Sequence, residues 1–148
     1  MWLYDLEAHK YDRIKEYSLD EERILVVEPI LGELNHQKSP IILDVGVGTG
    51  RVPQFLLADG RFIFEEHGHV VGLEPSPKMR QYAIDNVAQY PPHVSFIRQY
   101  AYPLPFKSAS FDGVTSLETI EFFPKPHEAI EEMVRVLKPG GFLMITRR

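Results

Sequence analysis

The amino-acid sequence predicts an α/β fold in which a mainly parallel, doubly wound sheet is covered by helices on both faces. Short runs of branched aliphatic residues alternate with amphipathic segments, which is the pattern of successive βαβ units. The run "SPIILDV" (39–45) is apolar almost throughout and ends in turn residues, as in a strand buried on both faces. With 148 residues and 44% apolar content, the chain suits one domain with a single core.

The first element is predicted to be a helix, because Ser18 and Glu21 have the spacing of a capping box. Its buried face is expected to carry Ile24, Val27 and Leu31, which follow helical spacing. A short helix after the first strand should end at Gly60. Further strands are predicted at residues 69–74, 94–100, 111–118 and 142–146, and further helices at 76–90 and 126–137.

The last helix carries Ile130, Met133, Val134 and Leu137 at helical spacing, so these residues are expected to face the core. It should stop at the Pro-Gly-Gly segment 139–141, because proline and glycine terminate helices.

Composition excludes several classes of protein. The net charge of −5 gives no overall attraction to nucleic acid or anionic lipid, and we expect neither as a partner. No apolar run approaches the length of about 20 residues that a membrane-spanning helix needs. The sequence contains no cysteine, which excludes disulfides, thiolate metal sites and a cysteine nucleophile. We expect a cytoplasmic protein, because a cysteine-free chain agrees with a reducing compartment.

A glycine-rich turn follows the first predicted strand in "IILDVGVGTGR" (41–51). In a Rossmann-like sheet, ligands bind at the carboxyl ends of the strands, where the strand order reverses. Gly46, Gly48 and Gly50 would lie there, and glycine lets a ligand approach the backbone closely. Glu74 ends the second predicted strand, where a carboxylate can accept from both hydroxyls of a ribose. Together these residues predict a nucleoside-containing ligand, the alternative being a tight turn that binds none.

The dinucleotide NAD is the main competing ligand. Its G-x-G-x-x-G fingerprint needs glycine at position 51, which is Arg51, and an acid about 20 residues further on. Glu74 stands 28 residues after Gly46. A phosphate-binding P-loop is excluded, because no Gly-Lys-Ser/Thr follows the turn. The Glu74 carboxylate would also repel the 2′-phosphate of NADP.

Four segments in order resemble the motifs of the class I S-adenosylmethionine-dependent methyltransferases, specifically the type 11 methyltransferase domain family. They are "LDVGVGTGR", "VVGLEPSPKM", "LPFKSASFDGVTSLETIEFF" and "AIEEMVRVLKPGGFLMI", and the likeness runs from about Ile41 to Ile145. The resemblance implies an enzyme that transfers a methyl group from S-adenosylmethionine to an acceptor, leaving S-adenosylhomocysteine. A small-molecule acceptor is the default, and no metal is expected.

The resemblance also implies a set of cofactor-binding residues. Asp44 would hold the amino group of the methionyl part, the glycine turn would border that part, and Glu74 would bind the ribose. The full set is Asp44, Gly46, Val47, Gly48, Gly50, Glu74, Pro75, Ser76, Met79, Tyr100, Ala101, Leu117 and Glu118. Pro75, Ser76 and Met79 would line the adenine, Ala101 would offer it a backbone N–H, and Leu117 and Glu118 would lie near the sulfonium. No catalytic residue is assigned.

The sequence departs from the family pattern in several places. Tyr100 replaces the usual aspartate at the adenine amino group, where its hydroxyl or Gln99 could substitute. Phe122 stands where histidine is frequent, and the connection from Gly60 to His69 is long. The fold is therefore expected to be a class I methyltransferase core without the last two strands of the family. The exposed edge of its fifth strand would suit a fragment of a longer enzyme, or a second copy or partner chain that covers it.

We expect two regions within a single domain, namely an N-terminal helical segment at residues 1–38 and a cofactor-binding core at 39–148. The aromatic residues Tyr4, Tyr11 and Tyr17 of the first region could form a lid over the site or could simply be partly buried. His67 and His69 could bind a metal with a neighbouring glutamate, although two histidines rarely suffice. The competing function is a non-catalytic module that binds the cofactor, or has lost it, and works through a partner.

Overall fold

A five-stranded sheet forms the centre of the molecule, which we describe for residues 18–147 from a computed structural model. The strand order is β3-β2-β1-β4-β5, and each neighbouring pair is parallel, which confirms the predicted α/β fold. The strands are β1 (Ile41–Val45), β2 (His69–Leu73), β3 (Val94–Ile97), β4 (Phe111–Leu117) and β5 (Leu137–Thr146). The strand order reverses between β1 and β4, so a ligand is expected at their carboxyl ends.

The helices cover both faces of this sheet. Ser18 caps the first of them, since its Oγ accepts from the backbone N–H of Glu21 at 3.5 Å. Helix α1 (Leu19–Glu22) continues through a π-helical turn (Arg23–Val27) into α2 (Glu28–Leu34), and the others are α3 (Arg51–Asp59), α4 (Pro77–Asn86) and α5 (Pro126–Val136). Shorter turns of 3₁₀ helix lie at Pro91–His93 and Ile120–Phe122.

Alternate residues of β1 enter two different hydrophobic clusters. Ile42 packs with Ile30 of α2 and Leu56 of α3, whereas Leu43 packs with Met133 of α5. Because successive side chains of a strand point to opposite faces, the sheet separates two cores, one on each face. This arrangement confirms that β1 is buried on both faces and fixes its end in the middle of the molecule.

The predicted phase of two helices is wrong at one residue each. Ile24 is 66% exposed, because it lies in the π-helical turn, where the wider turn shifts the inward face to Val26 and Val27. In α5, Val134 is 56% exposed and the fully buried positions are Ala129, Met133 and Val136. Alanine is only weakly hydrophobic, so the sequence pattern did not mark Ala129 as a core residue and included Val134 in the buried face instead.

Several predicted boundaries also differ from the structure: the helix predicted at 76–90 ends at Asn86, and the strand predicted at 142–146 begins at Leu137. Strand β3 ends at Ile97, not at Tyr100. Helix α5 ends at Val136, because Leu137 already pairs with Phe111 of β4. The Pro-Gly-Gly segment therefore lies within the irregular start of β5, and regular pairing resumes where Phe142 faces Gly113.

The long connection before β2 contains a π-helical turn, Arg61–Glu65. Its side chains Phe62 and Ile63 are buried in the core on the α1–α3 face. The extra residues of this connection therefore contribute to folding and lie apart from the carboxyl ends of the strands.

The predicted lid residues Tyr4, Tyr11 and Tyr17 lie outside the described residues, and the division at residue 38 stays a prediction. Within residues 18–147, no helix is long and apolar enough to cross a membrane.

Candidate cofactor pocket

The glycine turn is fixed against the end of β2. The backbone N–H groups of Gly46 and Val47 both donate to the carbonyl of Leu73 at 2.9 Å. Gly46 has φ +74°, and a Cβ built on it would lie 3.0 Å from the side chain of Thr119. The turn therefore lies between β2 and the segment that follows β4, and glycine is required for both its conformation and its packing.

The Glu74 carboxylate links this turn to the start of α4. Its Oε2 accepts from the N–H of Gly48 at 3.0 Å, and its Oε1 accepts from the N–H of Ser76 at 2.9 Å. Ser76 in turn caps α4, accepting from the N–H of Met79 at 3.2 Å. Glu74 is only 8% exposed, so its side chain has one well-defined position at the carboxyl end of β2.

Asp44, near the end of β1, is a second buried acid, with 3% exposure. Burial raises the pKa of its carboxyl to about 7; the Thr115 hydroxyl, which donates to Oδ1 at 2.7 Å, and the positive charge of Arg51 oppose this, while the charge of Glu74 adds to it. Ionised Asp44 is therefore costly in the ligand-free pocket, and a cationic ligand would favour the ionised form.

Arg51, the first residue of α3, connects three parts of the molecule. Its Nε and Nη2 donate to the two carboxylate oxygens of Glu22 at 2.8 and 2.7 Å, and its Nη1 lies 3.4 Å from Oε1 of Glu118. Glu22 is 2% exposed, so this ion pair fixes the N-terminal helix against the glycine turn. The fork geometry of arginine makes a two-bond pair of this kind directional as well as strong.

The segment after β4 lines one end of the pocket with both a carboxylate and apolar side chains. Glu118 adopts a left-handed backbone, with φ +55°, and its N–H donates to the carbonyl and the hydroxyl of Thr146 at 3.1 Å each. A non-glycine residue with a left-handed backbone is uncommon in proteins. Where such residues occur, they cluster at functional sites. Beyond it, Phe122, Phe123 and Pro124 also line the pocket.

At the opposite end, the loop after β3 contributes neutral side chains. Tyr100 lines the pocket and is 49% exposed. Its backbone N–H donates to Oε1 of Gln99 at 2.9 Å, so the Gln99 oxygen already accepts one hydrogen bond. Ala101 follows and is nearly buried.

All the predicted cofactor residues except Gly50 line one pocket at the switch point, whose volume is about 1180 Å³ with its open mouth included. Gly50 lies behind it, with φ +94° and its Cα facing Ala83 of α4. The lining residues outside the predicted cofactor set are Thr49, Arg51, Val52, Gln99, Thr119, Phe122, Phe123 and Pro124. Arg51 directly follows the glycine turn, and Phe122, Phe123 and Pro124 follow Glu118 within six residues. Closeness in sequence to predicted site residues could therefore have indicated them.

The histidines considered for metal binding lie elsewhere. His69 stands at the amino end of β2, with Nε2 2.7 Å from the Ser95 hydroxyl and Nδ1 3.3 Å from the carbonyl of Pro92. His67 lies just before it, in a left-handed conformation. Across the described range 18–147, no group of three or more His, Asp or Glu side chains is arranged to hold a metal ion.

Comparison with known proteins identifies the family. The model of the methyltransferase domain family matches residues 43–145, which is well over half of the chain. This chain belongs to the methyltransferase domain family. A demethylmenaquinone methyltransferase of Thermotoga maritima is 35% identical to it, over 98% of this chain and 59% of that relative. A 27-O-demethylrifamycin SV methyltransferase of Amycolatopsis mediterranei is 30% identical, over 93% of this chain and 49% of that relative.

A solved structure agrees with this assignment of the methyltransferase domain. A SAM-dependent methyltransferase of Thermotoga maritima superposes with a TM-score of 0.64 at 27% identity, covering 98% of this chain and 60% of that one. The chain thus spans about half to three fifths of the length of these relatives.

Proposed function

We propose that this chain is the cofactor-binding core of an S-adenosylmethionine-dependent methyltransferase that methylates a small-molecule acceptor. One observation supports it most: a single pocket at the switch point is lined by three carboxylates, Asp44, Glu74 and Glu118. S-adenosylmethionine carries an ammonium group, a ribose diol and a sulfonium, and when bound it supplies an activated methyl group. Carboxylates suit each of these three groups, and the donor set therefore fits the cofactor.

In this proposal each residue has a binding role. Glu74 accepts from the ribose hydroxyls, since its carboxylate places two acceptor oxygens in the pocket just after β2. Asp44 holds the amino group, directly or through water. Pro75, Ser76 and Met79 line the adenine, and Ala101 donates its N–H to the ring. The backbone of Gly46, Val47 and Gly48 borders the methionyl part, Gly50 supports this turn from behind the pocket, and Leu117 and Glu118 lie near the sulfonium.

The acceptor is proposed to be a largely apolar, flat molecule. Phe122, Phe123 and Pro124 line the pocket beyond Glu118, and aromatic side chains pack well against planar ligands. The two relatives are named for demethylmenaquinone and 27-O-demethylrifamycin SV, which supports a small-molecule acceptor. Chain residues would orient the acceptor and exclude water, because transfer from an activated methyl group depends mainly on positioning.

Calorimetric titration with S-adenosylmethionine, S-adenosylhomocysteine and NAD tests the cofactor assignment. We expect the first two to bind and NAD not to bind, because Arg51 occupies the third glycine position of the NAD fingerprint. Tighter binding of NAD would overturn the assignment. Transfer of labelled methyl groups to a panel of phenols, hydroquinones and amines then tests catalysis.

The second candidate is a non-catalytic module that binds S-adenosylmethionine and acts through a partner. It is kept because the chain covers 59% of its Thermotoga maritima relative, so elements that contact the acceptor in relatives could be supplied from outside the residues described. If the chain binds S-adenosylmethionine but transfers its methyl group to none of the acceptors tested, the non-catalytic module is favoured. We also propose a cytoplasmic location, supported by the absence of cysteine from the sequence.

A further inference from the structure

The loop after β3 lines its end of the pocket with neutral groups. The lining residues in this loop are Gln99, Tyr100 and Ala101, and none of these three has a charged side chain. The carboxylates that line the pocket come from the carboxyl ends of other strands, namely β1, β2 and β4. A ligand that reaches the loop after β3 therefore meets uncharged hydrogen-bonding groups.

The side-chain amide of Gln99 has a fixed orientation. Its Oε1 accepts from the backbone N–H of Tyr100 at 2.9 Å. Because an N–H group needs an acceptor, the oxygen of the amide, and not its nitrogen, has to occupy this position. The Gln99 side chain is partly buried, and its Nε2 makes no hydrogen bond within residues 18–147. The atom that Gln99 can offer to a ligand is therefore a hydrogen-bond donor.

A donor at this position suits some groups of a purine base better than others. The 6-amino group of adenine is itself a donor, so an amide nitrogen can meet adenine only through a ring nitrogen. A 6-oxo group, as in hypoxanthine, accepts directly from an amide nitrogen. The hydroxyl of Tyr100, a half-exposed side chain in the same loop, can rotate to donate or to accept and so suits either substituent.

We propose that Gln99 contacts the edge of the base, and that the pocket does not select the 6-amino group of adenine over a 6-oxo group. The inference rests on the proposed function, which places the base at the loop after β3, and deepens it by assigning base specificity to one side chain. A carboxylate in place of this amide would accept from the amino group and repel a 6-oxo group, and would thus be selective. The neutral loop widens the range of nucleosides that the site accepts.

Equilibrium titration of the 148-residue chain with S-adenosylhomocysteine and S-inosylhomocysteine tests the proposal. The second compound has a 6-oxo group in place of the 6-amino group and a proton on N1, and is otherwise identical to the first. We expect the two affinities to agree within about 3-fold, because no carboxylate of the loop requires the amino group.

Gln99→Glu is the decisive variant. It keeps an oxygen for the backbone N–H of Tyr100 and exchanges Nε2 for a second oxygen, so a donor becomes an acceptor at nearly constant shape. We expect this variant to prefer S-adenosylhomocysteine by about 10-fold or more, mainly through weaker binding of the 6-oxo compound.

A matched control separates the contact with the base from the added charge. Gln54→Glu makes the same exchange at an exposed position of α3 outside the pocket, and should leave the ratio of the two affinities unchanged. If Gln99→Glu does not fold, as judged by circular dichroism, Tyr100→Asp takes its place. That variant puts a carboxylate on the neighbouring lining residue, and it should also create a preference for S-adenosylhomocysteine.

The possible outcomes distinguish the two proposals. If neither compound binds and S-adenosylmethionine does not bind either, the proposed function fails. If the unmodified chain prefers S-adenosylhomocysteine by more than about 3-fold, the inference about the base is overturned and the cofactor assignment stands. An unchanged ratio of affinities in a folded Gln99→Glu variant would show that Gln99 does not contact the 6-position of the base, which also overturns the inference.

Discussion

The Glu74 carboxylate holds the glycine turn and, in our proposal, the ribose as well. In Glu74→Gln the amide nitrogen would face a backbone N–H that needs an acceptor, and the ligand would lose a charged acceptor. We expect the affinity for S-adenosylhomocysteine to fall by about 1–3 kcal/mol, measured by titration calorimetry. Glu65→Gln, at an exposed position near the amino end of β2, is the control. Unchanged affinity in Glu74→Gln would contradict the ribose role.

The raised pKa of Asp44 predicts that the free energy of unfolding depends on pH. Its pKa in the folded chain, about 7, lies above the unfolded value of 3.8, so folding takes up a proton. The destabilisation is fully present above pH 7, decreases as the pH falls below 7, and disappears below about pH 4. Asp44→Asn removes the charge and can still accept from Thr115, so we expect a higher melting temperature at pH 8 and a smaller gain at pH 5.

The cost of this stabilisation should be the loss of cofactor binding, since a neutral amide cannot pair with an ammonium group. Thermal melts of both proteins across this pH range provide the measurement. A lower melting temperature for Asp44→Asn at pH 8 would show that the buried charge is compensated in the folded chain.

Substitution of Tyr100 tests how the adenine ring is recognised. If its hydroxyl accepts from the adenine amino group in place of the family aspartate, Tyr100→Phe should weaken binding of S-adenosylhomocysteine by about 1 kcal/mol. Tyr102→Phe is a close control, because Tyr102 is similarly exposed but does not line the pocket. Equal affinities in the two variants would mean that the Tyr100 hydroxyl takes no part and that Gln99 or backbone groups recognise the base.

At the scale of elements, the Glu22–Arg51 pair fixes α1 against α3. Glu22→Gln removes a buried charge partner of Arg51, whose side chain is 18% exposed and therefore partly hydrated. We expect the free energy of unfolding to fall by about 1–3 kcal/mol, less than for a fully buried pair. Glu21→Gln, at the exposed neighbouring position, should change it little. Chemical denaturation of the three proteins measures the difference.

The elements also show how far sequence reasoning extends. The five strands and the pocket could be predicted because buried parallel strands are continuous apolar runs and their carboxyl ends carry the motifs. Helix phase failed at Ile24, since no sequence signal marked the π-helical turn. Phe123 and Pro124 were missed because they lie after β4 in an irregular segment without periodicity.

At the scale of the whole molecule, β5 is the edge of the described sheet and pairs on one side only, with β4. An unpaired strand edge favours pairing with another strand or chain. We expect concentration-dependent association in sedimentation experiments at micromolar protein. Hydrogen exchange supplies a second measurement: if the chain is monomeric and the amides of Phe142 to Ile145 are all protected, the edge is covered in another way and the expectation is wrong.

Gly50 restricts how this domain can change through mutation. A Cβ at position 50 would lie 3.2 Å from both Cα and Cβ of Ala83, and the backbone there has φ +94°. Shrinking the neighbour to glycine would relieve the clash with its Cβ, but not that with its Cα or the strain of the left-handed backbone. A side chain at position 50 is therefore strained and crowded, although this position does not line the pocket. Variation that tunes the affinity for the cofactor has to come from residues such as Tyr100 and Glu118, whose side chains can be exchanged without moving α3 against α4.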